Sequence, residues 1–269
     1  MPMILAIDVG GTKTLVASFT MAGEATEQIK FPTPRSYAEF LIELEKVVAT
    51  LTTKKFVRCV IAMPGKIDRV HGVAVAFGNL PWHDVPIVAD VSQLFKIPVT
   101  VENDANLAGL SEAHLHKEFR KVVYITVSTG IGGVMIIDGK IDPNTQDAEY
   151  GQMLLEHEGV LARWEKFASG SAIVAKFGKR ASDITDTGDW YIIAHNIALG
   201  LIDVIAATTP DCIVIGGGVG SHFDKFGERL QEDLKNYEND LLHVPPLFGA
   251  QRAEDAVIYG CYLLAMQKS

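Results

Sequence analysis

Several things are scarce in this sequence, and each scarcity closes a class of function. Three cysteines occur in 269 residues, Cys59, Cys212 and Cys261. They lie far apart with no CxxC pair, which argues against a disulfide scaffold or a cysteine zinc site and for small core residues of a reduced, cytoplasmic protein. No run approaches about 18 uninterrupted apolar residues, so no membrane span is expected. The opening MPMILAIDVGG has no basic stretch, and Asp8 interrupts its apolar run, so it does not read as a signal peptide. Low-complexity tracts and Pro/Ser-rich linkers are missing. Basic residues are outnumbered, 24 against 33 acidic, for a net charge of −9, which speaks against broad nucleic-acid or anionic-membrane binding. Two nucleotide signatures are also absent: no GxxxxGK[ST] occurs, and no GxGxxG opens a helix.

What is present is an ordinary globular composition, 48% hydrophobic and 21% charged, in a chain long enough for two lobes. Met3–Val9 reads as a buried strand entering the tight turn Gly10-Gly11, with Leu15–Phe19 returning and Thr26–Phe31 a third strand. Ser36, with Glu39 three places on, caps a helix from Tyr37 to about Leu51. Strands are expected at Arg58–Met63, Val73–Val75, Val99–Val101, Val122–Val127, Val134–Ile137 and Cys212–Ile215. Helices are expected at Val85–Phe95, Asn106–Lys117, Tyr191–Ala207 and Ala253–Met266. The strand, glycine turn, strand theme occurs twice, near 4–19 and near 122–137.

Three glycine turns end strands: IDVGGTKT at 7–14, STGIGG at 128–133 and IGGGVG at 215–220. Backbone N–H groups in such a turn, with the hydroxyls of Thr12 and Thr14, suit phosphate oxygens, and Asp8 could hold a hydrated Mg²⁺. Lys13 is either a phosphate contact or a solvated charge. Taken alone, the first turn is as readily a plain hairpin and the third a loose strand-to-helix turn; matching turns in two lobes can grip one polyphosphate from both sides. The stretch VTVENDANLAGL, 99–110, brings Glu102, Asn103 and Asp104 to a strand end. Asn103 and Asp104 either cap the next helix or supply a base at the mouth of a cleft. Strand alternation turns Glu102 the other way.

DVGGTKT, PGKI, VENDAN, STGIGG, AEYGQ, WEKFASG and IGGGVG, in this order, resemble the ROK family of sugar kinases over nearly the whole length. The resemblance implies an α/β fold of two actin-like (ribonuclease H-like) lobes flanking a nucleotide and sugar cleft. A smaller lobe would span 1–110, with the C-terminal helix 253–269 packing back on it, and a larger lobe 111–252. It makes Asp104 the general base toward a sugar hydroxyl. Gly65, Lys66, Asn79, Asn103, Glu149, Gln152 and Glu165 become sugar contacts. Asp8, Gly10, Gly11, Thr12, Lys13, Thr129, Gly130, Gly216, Gly217 and Gly218 become the site for Mg·ATP. Trp82 reads equally as core or as lobe-surface packing. Some family members are repressors with an additional N-terminal helix-turn-helix; with the first strand at Met3, none is expected here.

One stretch departs from the family pattern. The family's ExGH histidine is Gln152 here, and its zinc cysteines are absent, leaving His157 alone. No structural zinc is therefore expected, since such a site needs about four ligands. Packing by Met153, Leu154, Leu155, Leu161 and Trp164 is expected to hold the segment instead. The leading expectation is an ATP-dependent, glucokinase-like hexose kinase phosphorylating a 6-hydroxyl. Glucose is the default, with mannose, fructose and an N-acetylated hexosamine as alternatives. A non-catalytic sugar or nucleotide sensor is the rival class, and a cytoskeletal or chaperone ATPase the third. The expected partners are a sugar and ATP, with no nucleic acid and no membrane, and the family's habit adds a homodimer.

Overall fold

The computed structural model describes residues 2–53, 55–252 and 255–267. The chain divides into two compact units, Met1–Ser111 with Glu254–Ser269, and Glu112–Ala253.

In unit 1, β1 (Met3–Val9), β2 (Lys13–Thr20) and β3 (Ala25–Pro32) form an antiparallel meander. The helix α1 (Tyr37–Thr50) follows, and the Ser36 hydroxyl accepts the Glu39 N–H at its start, as the capping pair predicts. β4 (Phe56–Met63) pairs parallel to β1. A side sheet of β5 (Lys66–Asp68), β6 (Val73–Ala76) and β7 (His83–Val85) comes next, then α2 (Ile87–Phe95). β8 (Val99–Asn103) completes the main sheet in the order β3-β2-β1-β4-β8, and α3 (Asp104–Ala113) leaves it directly. Central strands covered on both faces explain the unbroken apolar runs in β1 and β4, while the edge strand β3 alternates. Phe40, Leu44, Ile87 and Val91 pack on one face with Ile7 and Ile61. The last helix of the chain, Ala256–Gln267, packs on β1 and β4. The sequence starts that helix at Ala253, which lies outside the described residues. Val85 belongs to a strand rather than to α2, because Pro86 separates them.

Unit 2 repeats the plan. β9 (Lys121–Val127), β10 (Ile131–Ile137) and β11 (Lys140–Ile141) form the meander. The hairpin of β12 (Leu154–His157) and β13 (Val160–Arg163) follows, then α4 (Glu165–Ala168), α5 (Gly170–Phe177) and α6 (Thr187–Thr208). β14 (Cys212–Gly216) pairs parallel to β9, α7 (Gly217–Gly220) and α8 (Phe223–Lys235) come next, and β15 (Leu247–Gly249) closes the order β11-β10-β9-β14-β15. The chain ends on α9, the helix of unit 1 already described.

By length and by a mean hydropathy of 1.6, α6 could cross a membrane. Its Trp190, Ile193, Ile197, Leu201 and Val204 are instead buried in the core of unit 2, and α8 packs along it. A helix apolar around much of its circumference is what a central core position demands.

Candidate active site

In unit 1 the candidate residues gather at the C-terminal ends of three parallel strands. The pairing register sets Asp8 of β1 beside Ala62 of β4, and Ala62 beside Glu102 of β8. Asp8, the turn after Met63 and the pair Asn103-Asp104 therefore share one level, the edge where open α/β sheets place ligands. Gly65 has φ +85, and a Cβ there would lie 2.1 Å from the Ala76 carbonyl oxygen, so only glycine makes this turn. Its own carbonyl accepts from the Asn103 amide, Nδ2 to O 3.1 Å. Asn103 Oδ1 accepts the Ala105 and Asn106 N–H groups at 2.9 and 3.3 Å, capping α3. Asp104 is the first residue of α3, and its Oδ1 accepts the Ala105 N–H at 2.8 Å.

The turn after β1 is closed by Gly10 N–H to the Lys13 carbonyl, 2.9 Å. Gly11 faces Asn79, whose Cβ would be 2.8 Å from a Cβ on Gly11. Thr12, Lys13 and Lys66 are exposed. Thr14 corrects an expectation. Its hydroxyl is wholly buried against Thr33 Oγ1 at 2.9 Å, because Thr14 lies within β2, paired on both sides by β1 and β3, while Thr12 stands in the exposed turn ahead of that strand. Trp82 is core, packed edge-to-face with Tyr37 and Phe77 and tilted against Phe40.

Burial pushes the Asp8 carboxyl up to about 7, the Asp104 charge adds to this, and Lys30 opposes it. Burial likewise raises Asp104, with the N–H groups of Ala105 and of Asp104 itself pulling back. The ordinary value for Asp8 is 3.8, so between about pH 4 and pH 7 the folded protein holds a proton that the unfolded chain releases. That contribution to stability is full below the lower limit and is lost as pH rises through the upper one. Asp8→Asn is expected to unfold at a higher urea concentration than wild type near pH 8, by a margin that shrinks steadily as pH falls toward about 4. Equal midpoints at the alkaline end would show that no buried charge sits there.

In unit 2 the glycine turns again follow neighbouring parallel strands, with Gly216 in register with Thr126. Ser128 N–H donates to the Gly130 carbonyl at 2.9 Å, closing the first turn. The start of α5 pins it: Gly170 N–H reaches the Ser128 carbonyl at 2.6 Å, and Ser171 Oγ the Thr129 carbonyl at 2.7 Å. Gly217 has φ +82 and lies against Thr126 Oγ1 and the Val127 carbonyl, while Gly218 is open. A Cβ on Gly130 would lie 3.0 Å from Glu165 Oε2, so that carboxylate stands at the same turn. The 3₁₀ turn Tyr150–Gln152 packs Gly151 against the Ile131 carbonyl, leaving Glu149 and Gln152 exposed on either side.

Hairpin β12–β13 occupies the stretch where the family pattern has its zinc loop. Trp164, just beyond it, is wholly buried, and Met153 and Leu155 pack beside it. Leu154 and Leu161 do not hold the segment; they are 62% and 69% exposed, because hairpin alternation aims them outward. Among the described residues no group of three or more His, Cys, Asp or Glu is placed to hold a metal ion. The sequence reading missed Arg69 and the buried role of Glu102. Their only signal was a lone basic residue in KIDRVHG and a carboxylate one place before the amide-acid pair.

A family model described as the ROK family matches residues 4–268. N-acetylmannosamine kinase from Escherichia coli strain SE11 is 29% identical over 97% of this chain and 97% of its own. Fructokinase from Streptococcus mutans serotype c is 28% identical over 89% of this chain and 87% of its own. The solved structure of a ROK family glucokinase from Streptomyces griseus, in complex with glucose and AMPPNP, shares the fold. Its TM-score is 0.80 at 22% identity, covering 98% of this chain and 99% of that one. The two sheets, each an antiparallel meander extended by two parallel strands, are those of the actin-like fold. With the match running from the first strand to the last helix, the chain belongs to the ROK family.

Proposed function

We propose that the chain is an ATP-dependent hexose kinase that moves the γ-phosphate of ATP to a sugar 6-hydroxyl. The placement of Asp104 carries this reading. It stands at a strand end on the first turn of α3, beside Asp8, with its carboxyl raised by burial and its neighbour Asn103 tied to Gly65. Phosphoryl transfer asks of a protein mainly positioning, charge stabilisation and a proton acceptor. A carboxyl lifted above its ordinary value takes a proton from an alcohol more readily than a solvated one.

Asn103, Gly65, Asn79 and Lys66 of unit 1, with Glu149, Gln152 and Glu165 of unit 2, bind the sugar in this reading. Gly10, Gly11, Thr12, Lys13, Thr129, Gly130 and Gly216 to Gly218 contact the nucleotide. Mg²⁺ fits Asp8, a buried carboxyl whose proton a cation can displace. An ion held by one carboxylate, waters and phosphate oxygens needs no protein cage. When bound, it would neutralise charge on the phosphates. The relatives described above, named for N-acetylmannosamine and fructose, together with the glucose-bound glucokinase, support a hexose acceptor and ATP. A cytoplasmic enzyme that pairs as a homodimer completes the proposal.

Coupled ADP release with Mg·ATP over glucose, mannose, fructose and N-acetylated hexosamines tests it. Sugar-dependent ADP release with a phosphorylated product is the expected result. Binding of a sugar without product would overturn catalysis and favour the sensor reading, for which Gln152 in place of the family histidine is the motive.

A further inference from the structure

Two residues before Asp104 lies a second acid. Glu102 is 5% exposed, in the penultimate position of β8. Its carboxylate receives Arg69 through two N–H groups, Nε to Oε2 at 2.8 Å and Nη2 to Oε1 at 2.5 Å. The same Oε1 accepts the backbone N–H of Asn103 at 2.7 Å and Nδ2 of Asn106 at 2.9 Å. One oxygen thus holds the peptide N–H of Asn103 and a side chain within the first turn of α3. Arg69 comes from the turn after β5, the strand that begins next to Gly65. The Asn103 amide contacts the Gly65 carbonyl from the other side.

We propose that Arg69 and Glu102 form a positioning pair that locks the Gly65 turn and the start of α3 into one body, and so fixes the direction of the Asp104 carboxylate. This rests on the kinase reading above. An ordinary surface acid would gain little from an arginine. Here the carboxylate is buried, and its desolvation is offset only by a full set of donors, so geometry is tightly set. Neither residue reaches substrate; both act through Asn103 and Asp104. Misplacing a reacting group by about 1 Å costs on the order of 100-fold in rate.

The test measures kcat and KM for Glu102→Ala, Arg69→Ala and their double variant, with Glu102→Gln as the conservative change. Glu102→Ala is expected to lower kcat roughly 10- to 100-fold with the KM for ATP within about twofold. The double variant should be no worse than the worse single one, since the two residues act as a unit. Glu102→Gln keeps an acceptor for Asn103 and Asn106 and should recover to within about fivefold of wild type. A kcat within about twofold of wild type in Glu102→Ala, or additive losses, would overturn the pairing. Should Glu102→Ala not fold, as judged by circular dichroism, Arg69→Ala and Glu102→Gln carry the comparison.

A crystal structure of whichever alanine variant folds separates this inference from the kinase reading. Asn103 and Asp104 are expected to leave their partners at Gly65 and Ala105. If both contacts persist, the positioning role is lost even for a working kinase. If wild type makes no sugar phosphate while both contacts break in the variant, the kinase reading falls and the structural pairing stands.

Discussion

Asp104→Asn is expected to lower phosphoryl transfer to the sugar at least ~100-fold while sugar affinity stays within a few-fold. The amide matches the carboxylate in shape, and its oxygen can still accept the Ala105 N–H that the wild-type Oδ1 accepts at 2.8 Å. Asn103 keeps its bond to Gly65 and its cap on α3. What is removed is the proton acceptor and, with it, the negative charge. A second signature follows from the Asp104 charge, which helps lift Asp8. In the variant the Asp8 carboxyl should titrate lower than about 7, readable by carbon-13 NMR of the labelled side chain. Calorimetry for sugar and steady-state turnover complete the measurement. Near-normal activity would take Asp104 out of the base role.

Trp164→Ala is expected to destabilise the protein by roughly 3–5 kcal/mol. The indole is wholly buried and donates from Nε1 to the Asn196 carbonyl at 3.1 Å, while the backbone N–H of Trp164 donates to the Met153 carbonyl at 2.8 Å. Asn196 in turn donates from Nδ2 to the Phe167 carbonyl at 2.9 Å. The ring lies on Gly200 of α6, where a Cβ would come within 2.1 Å of it. Gly200→Ala should therefore cost ~1–3 kcal/mol by overpacking. In the Trp164→Ala background the same change should be neutral or favourable, because the clash is gone and alanine is the better helix former. Glu165 follows Trp164 directly, so the KM for sugar should rise in the single variants before turnover changes. Thermal unfolding reads the stability arm; additive losses in the double variant would sink the account of this seam.

Much of this was legible in the sequence, for stated reasons. The apolar runs of β1 and β4 and the glycines ending them announce buried strands and ligand-facing turns, since few other residues permit a φ near that of Gly65. The Ser36 cap was readable from two residues. By contrast α8 was overlooked, although Phe223, Phe226, Leu230 and Leu234 follow a helical period, because charged residues dominate the stretch. Hairpin β12–β13 was also missed. Its apolar residues alternate between core and solvent, so counting them as packing misassigned Leu154 and Leu161. α3 begins at Asp104 rather than Asn106, since the cap is the Asn103 side chain itself. The Arg69–Glu102 pair was out of reach, because it joins positions that no local periodicity connects.

The level alignment of Asp8, Ala62 and Glu102 depends on parallel pairings between segments distant along the chain. Such pairings close late in refolding, after helices and hairpins have formed. The acidic groups at the strand ends stay apart until that step, so a half-folded chain holds no assembled centre with which to squander nucleotide. Regain of turnover after dilution from denaturant should then lag regain of helix and report completion of the native sheet.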